Sequence, residues 1–453
     1  MASLESGGIS RPREGTIATE DSARPRGRVF ALYAGLAVAS AAIVAVLFSG
    51  SGTRGAVRSI AADAHPFARF FLAVAVVVGT CKLAGALVRR LGQPPVIGEI
   101  AAGILLGPSV FGAVWPAGRS WLVPDQVLGQ LNVLAQLGVV LFVFLTGLEL
   151  DPKRLRGRGQ LAAAVGQVSI VAPFLLGVLL AVAGYRHLAP AGVGYLPFAL
   201  FLGVSMSVTA LPVLARILLD LDLYRSRIGV LVMTCALVAD VAAWILLGLV
   251  IAVASAASLS GVLVTIAGTA VFAGLLLALR PLLVRRIEAV RPERTWMAAQ
   301  LILVGVLVSA TITEWIGVRA LFGAFLFGLV LPADNAVAQR VHGIVGNLTT
   351  ALLLPLFFAY SGLRTNLTLL GANAGLWLWC VLIVVVAVVG KFGGSALAAR
   401  AVGAGWREAC RIGALMNCRG LTELVVLNVG LDLGVLSPAL FAMFVLMALI
   451  STA

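Results

Sequence analysis

Charged side chains are what this sequence has least of. They make up 11% of its 453 residues, against about 25% in an ordinary soluble domain, and the shortage excludes a soluble globular protein. Histidine is rarer still. His65, His187 and His342 lie in loops or at the ends of apolar runs, and no His/Asp/Glu cluster forms that could hold a metal or organise a nucleophile. An enzyme is therefore disfavoured, and no cofactor or metal is expected. The five cysteines, Cys81, Cys235, Cys380, Cys410 and Cys418, contain no CxxC pair and fall mostly inside apolar runs, where the thiol behaves as a small hydrophobe. That pattern offers neither a disulfide framework nor a zinc site. Also missing is the alternation of apolar and polar residues that a transmembrane barrel strand requires.

What is present is apolar residue in continuous runs: 61% of the chain is hydrophobic and mean hydropathy reaches +1.06. Runs such as Phe71 to Val78 and Val381 to Val389 read as membrane helices, each needing about 20 residues to cross the hydrocarbon. About fourteen such spans are expected, at 29–48, 67–88, 95–113, 128–149, 160–184, 195–218, 227–252, 258–280, 296–316, 318–332, 348–362, 372–399, 408–430 and 436–452. The fold class is thus an all-α polytopic membrane protein. Residues 1–28 are polar, rich in Arg, Ser and Gly, and expected to be a disordered cytoplasmic tail. Residues 29–66 add an N-terminal helix and loop, the helix read as an uncleaved anchor.

Net charge is +14, yet the surplus follows membrane topology rather than a nucleic-acid partner. Arg89 and Arg90, then Lys153, Arg154, Arg156 and Arg158, then Arg225 and Arg227, then Arg285, Arg286, Arg291 and Arg294, then Arg400, Arg407 and Arg411 occupy alternate loops. The opposite loops carry scattered charges such as Arg119, Arg186 and Arg364. Basic loops stay cytoplasmic, so both termini are expected there, in a multi-pass protein of the cell membrane.

Two spans make poor uninterrupted helices. Gly203-Val-Ser-Met-Ser-Val-Thr-Ala-Leu-Pro212 crowds hydroxyls against a proline that deletes a backbone hydrogen bond. Met416-Asn-Cys-Arg-Gly-Leu-Thr-Glu423 interrupts an apolar run with an amide, a charge, a glycine and an acid. Pro212 and Gly420 are the expected helix breaks, although Pro212 could also be a plain kink in a packed helix. Paired interruptions in two halves of a chain point to a carrier of inverted repeats with exposed backbone at the midplane. The repeats would cover about 67–252 and 296–453, joined by a linker helix near 258–280.

Asp240 lies midway along the span 227–252, which holds no other charge in its interior. A carboxylate there is costly unless water or a cation reaches it. It can hold a proton or a monovalent cation, one at a time, and an exchanger needs such competition; a protonated or salt-bridged structural aspartate is the plainer alternative.

Several ordered segments carry a family resemblance. Pro95-Val-Ile-Gly-Glu-Ile-Ala-Ala-Gly-Ile-Leu-Leu-Gly-Pro-Ser109, Phe144-Leu-Thr-Gly-Leu-Glu-Leu-Asp151, Thr209-Ala-Leu-Pro-Val-Leu-Ala-Arg-Ile-Leu218, Ala239-Asp-Val-Ala-Ala-Trp-Ile-Leu-Leu247 and Gly413 to Asn428 are similar to the monovalent cation:proton antiporter-2 family, in its cation/H⁺ exchanger branch of sodium/hydrogen exchanger-like proteins. The resemblance runs from about Phe67 onward. It implies a homodimer of carriers exchanging H⁺ for Na⁺ or K⁺, each with a dimerisation bundle and a moving core whose two broken helices cross beside the aspartate. By position it implies ion or proton binding at Asp240 and at Ser207 and Thr209 on the first broken helix. Asn417, Arg419 and Glu423 would support from the second, and Lys391, in Val389-Gly-Lys-Phe-Gly-Gly394, would neutralise acidic charge nearby. Many members have Asn or Asp before the key aspartate, where this chain has Ala239. Other readings stay open: an ion channel or leak through the same polar midplane, and an exporter of an ion complexed to a small ionophore.

Overall fold

The computed structural model describes residues 66–149, 159–210, 226–255, 259–332 and 335–452, with 213, 214, 217, 218 and 223 between them. The expected tail, the anchor near 29–48 and the expected break at Pro212 lie outside the described residues. Among the described residues all regular structure is helical, and nine helices are long and apolar enough to cross a membrane.

In chain order the helices are α1 (Pro66–Arg90), α2 (Pro95–Leu106), α3 (Asp125–Glu149), α4 (Gly159–Leu188), α5 (Tyr195–Ser207), α6 (Arg227–Ser255), α7 (Leu259–Glu288), α8 (Thr295–Ile316), α9 (Ala320–Val330), α10 (336–364), α11 (Ala374–Ala401), α12 (Trp406–Met416), α13 (Leu421–Asp432) and α14 (Pro438–Thr452). Local chemistry sets several boundaries. Arg89 and Arg90 close α1 at its negative end. Pro95 opens α2 at a position where a missing N–H costs nothing. Gly317, at φ 96°, ends α8, and the Gly317 and Val318 amides both return to the Thr313 carbonyl.

Some boundaries depart from the sequence reading. The span expected at 348–362 belongs to a helix beginning at Ala336, where the Asn335 side chain caps the Ala338 amide at 2.7 Å. That helix carries π turns at His342–Gly346 and Thr349–Leu353. The span expected at 95–113 ends as a helix at Leu106, and the short helices Phe111–Val114 and Pro116–Leu122 follow. Its end falls just before Gly107-Pro108, and the residue before a proline is biased away from the helical region.

Two packed groups organise the described helices. In one, α2 packs on α1 and α10, α3 on α9 and α10, and α8 on α9. The α2–α10 contact is backbone to backbone: a Cβ on Gly103 would lie 2.2 Å from the Ala359 carbonyl oxygen, and one on Gly362 would lie 2.4 Å from that of Ile100. In the other, α4 packs on α5, α6 and α11, and α12 on α11 and α6. An apolar cluster including Val165, Val232, Ala236, Ile412 and Met416 joins α4, α6, α11 and α12 at one end of this second group, while α5 and the other halves of α4, α6 and α11 share an apolar cluster with the first group. Two members of the second group, α5 and the α12–α13 segment, are interrupted at mid-span.

Candidate functional site at the crossing of two interrupted helices

Helix α5 stops at Ser207, and the chain runs extended through Val208, with ψ 139°, before helical residues recur at 213. Helix α12 stops at Met416, and α13 begins at Leu421 after Gly420. The two interruptions touch, because the Ala210 amide donates to the Cys418 carbonyl at 3.2 Å. Gly420 permits the approach: a Cβ there would lie 2.7 Å from Val213 Cγ2 and 3.3 Å from Ala210 Cβ.

Breaking α5 removes the amides that would have met its last carbonyls, and in a buried setting those oxygens need other donors. Two cations supply them. Arg419 donates from Nη1 to the Ser205 carbonyl at 3.3 Å and from Nη2 to those of Met206 at 2.9 Å and Ala387 at 3.5 Å. Lys391 donates from Nζ to the Ser207 carbonyl. Positive charge at the C-terminal end of a half-helix also meets the negative pole of its dipole. Arg419 Nη1 further donates to Glu423 Oε1 at 3.2 Å, and both side chains are fully buried. Glu423 in turn lies in the first turn of α13, at the positive pole of that helix.

The supporting helices are bent to fit. Lys391 lies in a π turn, Val389–Gly393, within α11, a feature frequent at functional sites. Pro173 interrupts the hydrogen-bond ladder of α4. The Ile170 carbonyl, one turn back, accepts from Ser207 Oγ at 3.0 Å, and the same hydroxyl reaches the Gly203 carbonyl at 2.8 Å.

Asp240 is 2% exposed on α6, one turn beyond Ala236, which packs with Met416 and Cys418 at the end of α12. The structure therefore gathers Ser207, Lys391, Arg419 and Glu423 around one crossing, with Gly420 at the close approach and Asp240 one helical turn from a residue packed with the end of α12. Thr209 Oγ1, Ser205 Oγ, Asn417 Oδ1 and Glu423 Oε2 are buried there with no hydrogen-bond partner among the described residues. Such oxygens can coordinate an alkali cation or a proton-bearing water. Ala239, before Asp240, is buried and contributes no ligand.

Sequence reasoning missed the acceptors of Arg419 and Lys391. Ser205, Met206, Ser207 and Ala387 act there through backbone oxygens, which have no signature in residue type. It also passed over Asp432, whose position at the C-terminal end of α13 is electrostatically unfavourable unless cations stand nearby. An acid at a helix C-terminus was the available signal.

Residues 72–453 match the family model described as sodium/hydrogen exchanger, transmembrane. The chain belongs to the sodium/hydrogen exchanger family. It is 42% identical over 383 residues to the Na(+)/H(+) antiporter NhaS4 of Synechocystis, covering 84% of this chain and 93% of that protein. To the K(+)/H(+) antiporter 1 of Saccharomyces cerevisiae it is 35% identical, across 86% of this chain and 46% of the yeast protein, so it spans about half the length of that relative. Among solved structures, the sodium proton antiporter MjNhaP1 of Methanocaldococcus jannaschii shares the fold. The TM-score is 0.61 at 13% identity, with 85% of this chain and 94% of that one covered. Membership and the apolar helices make this a multi-pass membrane protein of a transporter family.

Proposed function

We propose that the protein is a secondary antiporter that exchanges H⁺ for a monovalent cation, Na⁺ or K⁺, by alternating access. One observation carries this reading: two interrupted helices cross at mid-span, their exposed carbonyls are held by Lys391 and Arg419, and Asp240 is buried on α6 one turn from a residue packed with the end of α12. Asp240 holds either the proton or the cation, and the unpartnered oxygens of Thr209 and Asn417 complete the cation's shell. Arg419 and Glu423 neutralise each other, so Lys391 is left to offset the charge of Asp240 when no ion is bound. Ser207 anchors the crossing to α4 through its hydroxyl.

The helix order supports inverted repeats. Helices α1 to α6 make one set and α8 to α14 another, with α12 and α13 as one pass and α7 as the linker. The interrupted pass is fifth in each set, and a single linker pass between sets of even number inverts the second against the first. Residence in the cell membrane with both termini cytoplasmic rests on the basic alternate loops, and assembly as a homodimer rests on the resemblance.

The test uses everted membrane vesicles with a ΔpH-sensitive dye, challenged in turn with Na⁺, K⁺, Li⁺ and choline. Saturable proton release by one or more alkali cations, and none by choline, is the expected result. Proton release that never saturates, or cation flux without proton counterflow, would establish a channel or leak instead.

A further inference from the structure

Asp432 is the last residue of α13, the helix that begins at the crossing with Glu423 in its first turn. The 12 residues of α13 span about 18 Å, so this one element runs from the crossing to the loop that joins it to α14. There the Asp432 carboxylate is held from two sides. Arg364, closing α10, meets Oδ1 at 2.6 Å, and Arg319, between α8 and α9, meets Oδ2 at 3.5 Å. Both arginines belong to the first packed group, which lacks the crossing. Arg319 also faces Glu314 at 3.7 Å, and Arg364 lies over the Tyr360 ring at 5.4 Å and reaches Asn428 Oδ1 at 3.3 Å.

Two observations set this cluster apart from ordinary surface ion pairs. Arg319 has φ 82° and ψ 144°, the only non-glycine residue of positive φ among the described residues. That region is costly for any side chain with a Cβ and persists only where its surroundings enforce it. The cluster also lines a cavity of about 620 Å³ whose walls include Gln136, Ala310, Glu314, Trp315, Arg319 and Asp432. The cavity lies between α3, α8 and α9 on one side and the end of α13 on the other, along the boundary that alternating access requires to move.

We propose that Asp432 is a positioning residue, and that its ion pairs with Arg319 and Arg364 latch α13 to the first group and hold the crossing in the state with this cavity open. The proposal rests on the exchange reading, since a latch matters only to a carrier that changes access. Opening it removes the charged ties of α13 to the first group and leaves the buried donation from Asn428 Nδ2 to Ser361 Oγ at 2.7 Å; a shift of α13 with Glu423 and Arg419 attached then moves the carbonyl-holding cations together with the ion site.

The experiment places a cysteine on the cavity wall, Ala310→Cys, in full-length protein in proteoliposomes. It measures the rate of labelling by a membrane-impermeant thiol reagent applied to the cavity side, with the same protein lacking the added cysteine as background. Asp432→Asn is expected to slow labelling by about fivefold, the scale of a modest shift between two states, and to change the apparent KM for the cation. Asp432→Glu, which keeps the charge, is expected to restore both. Arg319→Gly, which removes one arginine and relieves the backbone, is expected to slow labelling in the same direction and serves if Asp432→Asn folds poorly. Wild-type labelling rates in Asp432→Asn and Arg319→Gly, or an Asp432→Glu variant that behaves as Asn, would overturn the latch. Cation-driven proton flux by the parent protein in the same vesicles is read separately, and its absence would overturn the exchange reading, whatever the labelling shows.

Discussion

Lys391 is fully buried in a membrane helix and donates to a backbone carbonyl that the break in α5 leaves without an amide. Replacing it by methionine keeps the volume but strands the Ser207 carbonyl, a loss on the order of 1–3 kcal/mol for a buried unsatisfied group. We expect Lys391→Met to insert normally and to lower exchange by roughly tenfold or more, read as initial proton flux per unit of folded protein; wild-type flux would contradict the role given to it. Arg419 serves three carbonyls and Glu423 with one planar group, a geometry that a lysine ammonium cannot reproduce. Breaking a buried pair by removing one partner costs about 3–5 kcal/mol. Arg419→Gln is therefore expected to lower thermal stability in detergent markedly and Arg419→Lys to lower it less, with a tryptophan-fluorescence melt as the measure. Unchanged melting of the Gln variant would show that the pair does not hold the crossing. At this scale the sequence points to charged and hydroxyl side chains within apolar runs, which are few and conspicuous. What they bind is hidden, because the partners are carbonyls of Ser205, Met206 and Ala387 that any residue would offer.

The helices themselves were legible from apolar runs, because each expected span from 67–88 onward coincides with a helix or an interrupted helix. The early start of α10 and its π turns were not, since they follow from an Asn335 cap and from hydrogen-bond slippage that leave no apolar periodicity to read. Nor was the contact between the interruptions, made by the Ala210 amide and the Cys418 carbonyl. Its one side-chain requirement is the absent Cβ of Gly420, which has Val213 Cγ2 2.7 Å from where that atom would stand. Gly420→Ala is expected to impair exchange more than folded yield, and Val213→Ala in the same chain to recover a substantial part of it by opening that space. If the double variant is no better than the single one, the defect lies in something other than the crossing distance.

For the molecule as a whole, the exchange of charge follows from how few carboxylates can take part. With Ala239 before Asp240 and Glu423 paired to Arg419, the proposed exchange has one carboxylate to take either one proton or one monovalent cation, and the cycle is expected to be electroneutral. In proteoliposomes whose membrane potential is clamped by an ionophore for an ion that is not transported, the equilibrium ΔpH should be the same at every imposed potential. A ΔpH that shifts with potential would mean more than one charge per cycle, and Lys391→Ala would then be expected to abolish the shift. The most direct test of the exchange reading is Asp240→Asn, which keeps the volume and removes the titrating charge. Purified to the same folded yield and reconstituted beside the wild type, it should show no cation-dependent proton release above empty liposomes; exchange at more than a small fraction of the wild-type rate would contradict Asp240 as the shared carrier of proton and cation.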